Sequence, residues 1–273
     1  MGLAQSAVNG FLGIRNNVIK IGFEAEGKKM HARVPDEELF IAIKDVLLNR
    51  EYEYKSEFEL VNFRGKLVVD AGAHVGLFSM LASVFARKVV SVEPSAGNYD
   101  LLRENISQNS IGNVTAINKA LWADENGIDF YEAATSSGHS AIACESHVKK
   151  THVETTTIES IVKEHGDIDL LKMDIEGSEF GVFRAIDSAV LKRIKKIVAE
   201  IHAAKGEPGL IAQRLEAEGF KVEMHPSPLC AAHPSYAIKT SGLLKVKLLR
   251  GAVYPFAPLF RNRQLLVLFA QRE

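Results

Sequence analysis

The sequence predicts an α/β protein built on a largely parallel sheet, and three observations carry that prediction. From Lys66 onward, short β-branched apolar runs alternate with amphipathic runs of helical length. That is the pattern of strands joined by right-handed helical crossovers. Two of the runs, Leu67-Val68-Val69-Asp70 and Val89-Val90-Ser91-Val92-Glu93, end on an acid. The first leads straight into Ala71-Gly72-Ala73-His74-Val75-Gly76 and a new amphipathic segment, which reads as a strand, a tight turn and a helix.

Residues 1–60 read as an N-terminal appendage and residues 61–273 as the main domain. Runs 17–22 and 29–34 flank Glu26-Gly27 as the arms of a hairpin. Leu39, Ile43, Val46 and Leu47 recur at helical spacing behind Asp36, a suitable N-cap. The charged and aromatic stretch Arg50-Glu51-Tyr52-Glu53-Tyr54-Lys55 reads as an exposed helix end, with part of a substrate rim as the alternative.

In the main domain, strand 67–70 leads to a helix near 75–86, and strand 88–93 to a helix near 96–109 with Tyr99, Leu102 and Ile106 on one face. Strand 113–118 comes next. Strand-like runs 128–131 and 152–158 bracket a small polar stretch, 134–140, that reads as a solvated loop or as a mobile cover over the site. Runs 168–175 and 195–202 are the fourth and fifth core strands. Helix 207–218, strand 220–224 and a last strand at 264–269 complete the chain. The connection 226–263 is long and holds Pro226, Pro228, Pro234, Pro255 and Pro258, with Lys239, Lys245, Lys247, Arg250, Arg261 and Arg263. It reads as a solvated insertion, or as the wall of a site for a polar or anionic substrate.

Composition sets outer limits. With 47% hydrophobic and 25% charged residues, the 273-residue chain has the balance of a soluble globular protein. A net charge of -1 gives no global footprint for nucleic acid. Cys144 and Cys230 stand far apart in no metal-binding spacing, which fits a reducing compartment, and a cytoplasmic location is expected. No apolar run reaches the roughly 18 residues of a membrane span. The first residues match a myristoylation pattern only formally and lack the basic region of a secretory signal.

The chemistry concentrates at two places. Asp70-x-Gly72-x-x-x-Gly76 differs from the G-x-G-x-x-G of dinucleotide binders. Gly72 can adopt backbone angles that let a ligand approach the main chain. Glu93 ends the next strand about 20 residues on, where an acid accepts hydrogen bonds from a ribose diol. Together they read as a nucleoside site. The second place is Leu171-Lys172-Met173-Asp174-Ile175-Glu176-Gly177-Ser178-Glu179. Lys172 and Asp174 share one face of a strand, and Glu179 falls where acids favour a helix N-terminus. Glu200 and His202 share a face at the end of the neighbouring strand. Asp174, Glu200 and His202 could together ligate a divalent ion, although no metal is assigned.

These motifs, with Val92-Glu93-Pro94 and Leu101-Leu102-Arg103-Glu104-Asn105, resemble the FkbM family of S-adenosylmethionine-dependent methyltransferases over roughly residues 50–203. The resemblance implies a class I, Rossmann-like fold of seven strands with an antiparallel last strand. It implies S-adenosylmethionine as donor and a hydroxyl acceptor on a sugar or small natural product. It places Asp70, Gly72, Ala73 and Gly76, with His74 among them, around the methionine part, and Glu93 and Pro94 at the ribose. One departure stands out. Where an acid commonly receives the adenine amino group, this chain has Asn118-Lys119-Ala120. A charged Lys119 cannot accept a hydrogen bond, so main-chain groups or Asn118 would read adenine. Asp174 borders both donor and acceptor. Asp174 or His202 is expected as general base, with Lys172 alongside. RNA or protein methylation has only the basic 239–263 segment in its favour. A catalytically inactive cofactor-binding module fits poorly with acids at three strand ends, and a nicotinamide-dependent oxidoreductase fails on the glycine spacing.

Overall fold

The computed structural model describes residues 18–35, 43–133, 140, 147–227, 234–241 and 265–272. The hairpin is β1 (Val18–Ala25) and β2 (Lys28–Pro35), turned by Glu26 and Gly27, both at positive φ, as a two-residue hairpin turn requires. Then follow β3 (Leu67–Ala71), α1 (Leu77–Ala82), β4 (Lys88–Val92), α2 (Ala96–Gln108), β5 (Val114–Ile117) and the short β6 (Ala120–Leu121). A second hairpin, β7 (Ile128–Ala133) and β8 (His147–Val153), precedes β9 (Thr155–Thr156), α3 (Ile158–His165) and β10 (Ile168–Met173). The chain closes with α4 (Glu179–Ala185), α5 (Ser188–Leu191), β11 (Ile194–His202), α6 (Pro208–Ala217), β12 (Lys221–Pro226), β13 (Ile238–Ser241) and β14 (Leu265–Gln271).

Seven strands form one sheet in the order β12-β14-β11-β10-β3-β4-β5. All are parallel except β14, which lies antiparallel between β11 and β12. The apolar runs explain the sheet, because strands covered on both faces need no alternation with polar residues. Val68, Leu170 and Val198 turn to one side and pack with Phe58, Phe63, Phe78 and Leu81. Val69, Leu171 and Ile197 turn to the other and pack with Ile158, Ile161, Val182 and Phe183. Each such large side chain contributes about 2–3 kcal/mol on burial. β3 and β10 are adjacent, and the chain leaves them in opposite directions along the sheet. Their carboxyl ends therefore border the crevice where open α/β sheets bind ligands.

Several elements differ from the sequence expectation. Helix α1 is shorter than 75–86 because Ser83 Oγ donates to the Met80 carbonyl (2.6 Å) and the chain turns. The run 152–158 is two strands, since Thr157 already caps α3 by accepting from the Ser160 N–H. The stretch Arg50–Lys55 is not an exposed helix end: Arg50, Glu51, Tyr52 and Glu53 are buried. It lies in a series of short 3₁₀ turns (Glu51–Glu53, Ser56–Phe58, Leu60–Phe63) that pack against the sheet through Tyr52, Phe58, Leu60 and Phe63. The 226–263 connection contains β13, which pairs with β1 and makes the hairpin three-stranded. Lys239 of that strand pairs with Glu24. Lys245, Lys247, Arg250, Arg261 and Arg263 fall outside the described residues, as do Asp36, Leu39 and the loop 134–139. The hairpin is fixed to α2 by Asn105, fully buried, which accepts from the Arg33 N–H and donates to the Arg33 and Val75 carbonyls. Among the described residues no helix is long and apolar enough to cross a membrane.

Candidate active site

The turn after β3 is shaped by its contact with the end of β10. Gly72 has φ +74°, and a Cβ there would fall 1.7 Å from the Asp174 carbonyl oxygen, so only glycine fits. Gly76 begins α1 at φ +87°, with Leu102 of α2 where a Cβ would stand. Asp70 is fully buried and engaged by Ser79 Oγ (2.5 Å) and Lys172 Nζ (3.1 Å). Lys172 Nζ also donates to the Gly72 carbonyl (2.9 Å). Burial pulls this ammonium down, but the carboxylates of Asp70, Asp174 and Glu200 outweigh it and leave its pKa raised. Lys172, expected beside the reacting groups, is therefore a pin that holds the glycine turn, and Asp70 is its anchor.

Glu93, at the end of β4, reaches back over the same turn. Its two carboxylate oxygens accept from the His74 N–H (2.8 Å) and the Ser95 N–H (2.9 Å). His74 holds a positive φ of 52° at this point. Ala73 is buried, Pro94 half-buried, and Asn118 donates to the Glu93 and Pro94 carbonyls (2.8 and 3.1 Å). Lys119 pairs with Glu154, and Ala120 is held in β6 against β9. The turn, Glu93, Pro94 and Asn118 thus form one continuous edge across β3, β4 and the end of β5.

Burial pushes the Glu93 carboxyl up to about 7, against the pull of the Ser95 and His74 N–H groups. Its folded pKa is raised, so the folded state holds the proton more tightly. The associated stability is complete in acid and is lost as pH climbs from the unfolded value to about 7. The loss amounts to about 3 kcal/mol. Glu93→Gln removes this titration. Urea unfolding at a series of pH values should show the variant gaining on the wild type between about pH 5 and 7.5; a constant difference would contradict the assignment.

A second polar cluster lies at the ends of β10 and β11. Asp174 Oδ2 accepts from Tyr52 Oη at 2.8 Å, and the same hydroxyl lies 3.4 Å from Glu200 Oε2. Asp174 Oδ1 is shut from solvent with no hydrogen-bond partner. Burial, reinforced by Asp174 and Glu51, pushes the Glu200 carboxyl well above its usual range. His202 stands between Glu176 (Nε2, 3.1 Å) and Glu179 (Nδ1, 3.2 Å). Burial would lower its pKa, but these two carboxylates raise it to about 12. An imidazolium donates protons rather than taking them, so the expected base role does not fit His202 in this geometry. Glu179 caps the turn, accepting from the Ile175 and Gly177 N–H groups, and also anchors His202. One ligand atom each from Asp174, Glu200 and His202 lies within 4.8 Å of the other two.

Two neighbours of the site lie in stretches for which the sequence left alternatives open. Tyr52 sits in the stretch read as an exposed helix end or as part of a substrate rim, and Ser140 ends the loop read as solvated or as a cover over the site. Ser140 Oγ donates to the Glu176 carbonyl (2.7 Å), tying the far end of the polar loop to this edge.

A seven-stranded sheet in this order, with a glycine turn and an acid at the first two parallel strand ends, defines a class I methyltransferase. Residues 70–222 match the methyltransferase FkbM domain model, more than half of the chain. The chain belongs to that family and is an S-adenosylmethionine-dependent methyltransferase. The 31-O-demethyl-FK506 methyltransferase FkbM of Streptomyces tacrolimicus is 27% identical over 216 residues, covering 65% of this chain and 82% of that protein. Methyltransferase sdnD of Sordaria araneosa is 25% identical over 190 residues, covering 57% and 73%. Among solved structures, methyltransferase FkbM from Methylobacillus flagellatus KT aligns with a TM-score of 0.43 at 15% identity, over 65% of this chain and 44% of that one.

Proposed function

We propose that this methyltransferase binds S-adenosylmethionine along the Gly72–Glu93–Asn118 edge and methylates a hydroxyl of a sugar or small natural product held against Asp174 and Glu200. The observation that carries the reading is the placement of the two groups. Glycine turn and carboxylate pair lie at the carboxyl ends of β3, β10 and β11, on either side of the crevice. Glu93 retains lone pairs for the ribose diol, and Gly72 and His74 stay partly exposed at the turn beside which the methionine part would lie. The relative named for 31-O-demethyl-FK506 acts, by that name, on an oxygen of a natural product, which supports an oxygen acceptor here.

The reaction asks mainly for alignment, because the cofactor already carries an activated leaving group. The acceptor oxygen forms a bond to the methyl carbon as the carbon–sulfur bond breaks. Its electrons neutralise the sulfonium, and the hydroxyl proton passes to the Asp174–Glu200 pair. Calorimetric titration tests the donor half. Wild-type protein should bind S-adenosylmethionine and its demethylated product. Glu93→Ala should weaken both by about ten- to a hundredfold, the cost of leaving the ribose hydroxyls unpaired. Equal affinity in the variant would move the ribose elsewhere, and no binding by the wild type would remove the donor site.

A further inference from the structure

We propose that Asp174, Glu200 and His202 bind one divalent cation that accepts mixed oxygen and nitrogen ligands, with Mn²⁺ as the representative probe. This rests on the acceptor-side reading above and names what that side holds beside the acceptor.

The ligand set is of the right kind and the right size. Two carboxylates and an imidazole suit the middle of the first-row divalent series. Such ions hold their ligands at about 2.0–2.6 Å, so ligands on opposite sides lie about 4–5 Å apart. The three groups already fall within 4.8 Å of one another.

Other features point to a cation independently of the count of acids. Asp174 Oδ1 is buried without any donor, although Oδ2 of the same carboxylate accepts from Tyr52. A shielded, unpaired carboxylate oxygen is costly, and an ion at that oxygen removes the cost. His202 becomes a ligand when an ion takes the place of the proton that its two carboxylates hold. Its Nδ1 is held by Glu179, which is fully buried in the first turn of α4. A carboxylate on one ring nitrogen fixes the tautomer and orients the other nitrogen, the common arrangement behind a metal-bound histidine. The other nitrogen, Nε2, lies beside Glu176 Oε2 (3.1 Å), which puts a fourth oxygen within reach. Lys172, the ammonium on the same strand as Asp174, is engaged on Asp70 and the Gly72 carbonyl. It does not fill this role. Bound here, the cation would hold the acceptor oxygen and leave the second oxygen of Glu200 free to receive its proton.

The test uses the full chain freed of metal by chelation, titrated with Mn²⁺ alone and followed by the electron paramagnetic resonance of the free ion. One Mn²⁺ should bind per chain. Glu200→Gln and His202→Gln should each weaken it by about tenfold or more, while Glu104→Ala, at the surface pair with Arg33, should bind Mn²⁺ as the wild type does. S-adenosylmethionine titration of the same samples reports folding and keeps two failures apart. Wild-type protein that binds S-adenosylmethionine but no Mn²⁺ overturns the cation site and leaves the methyltransferase reading intact. Mn²⁺ binding that survives both substitutions overturns it equally, and binding lost together with S-adenosylmethionine affinity in both variants does so as well.

Discussion

Glu53→Ala should destabilise the protein by about 3–5 kcal/mol, the cost of stranding one partner of a buried ion pair. Arg50 donates to both oxygens of Glu53, at 2.9 and 2.7 Å, and both residues are buried. Tyr236 Oη and the Leu60 N–H also donate to Glu53. Arg50 in turn stacks on the Tyr236 ring, 3.8 Å from its centroid, and donates to the Tyr236 carbonyl. With Glu53 gone, the guanidinium, the phenol and an amide lose an acceptor at once. Arg50 also keeps a positive φ of 53°, a strain that only the surrounding contacts sustain. The surface pair Arg33–Glu104, half-exposed on both sides, gives the contrast. Glu104→Ala should cost less than about 1 kcal/mol. Urea unfolding of the three proteins decides it; a Glu53→Ala midpoint close to that of Glu104→Ala would show that the cluster is not what fastens this segment.

That cluster also shows where sequence reading stops. The strands were legible because they are buried on both faces, and burial leaves continuous apolar runs such as Leu67-Val68-Val69. The glycine turn was legible because a backbone requirement leaves only one residue type at Gly72. Arg50-Glu51-Tyr52-Glu53 was not, because nothing local distinguishes a buried charge from an exposed one. Its partners, Tyr236 and Ser227, lie nearly two hundred residues away. β13 was missed for the same reason: a four-residue strand is specified by its pairing with β1 and not by its own pattern.

At the site the same division holds. Acids at strand ends could be read, but not which way each one turns. Asp70 and Glu93 both end strands on an acid, yet Asp70 is turned into the protein toward Lys172 while Glu93 lies over the turn. His202 looked like a base from its position. One carboxylate on each ring nitrogen, Glu176 and Glu179 from the turn after β10, changes what it can do. Side-chain roles of this kind are settled by partners across the sheet edge, which spacing along one strand does not encode.

Asp174→Asn should separate the two halves of the reaction. The substitution keeps the size of the side chain and a carbonyl oxygen to accept from Tyr52, but removes the charge that, in the proposed reaction, faces the acceptor. With an acceptor found by screening, turnover measured as release of the demethylated cofactor should fall by about 10²–10⁴-fold, the range for loss of a group that handles the proton. Affinity for S-adenosylmethionine should stay within about threefold, since the contacts of Asp174 with the glycine turn run through its backbone: its N–H donates to the Ala71 carbonyl, and its carbonyl oxygen abuts Gly72. The ratio of the two effects is what discriminates. If affinity and turnover fall together, the Asp174 carboxylate belongs to the donor site, and the hydroxyl proton must go to Glu200 without it. If neither falls, the acceptor does not approach along β10 at all, and the carboxylate pair serves only to hold Tyr52 and its segment against the sheet.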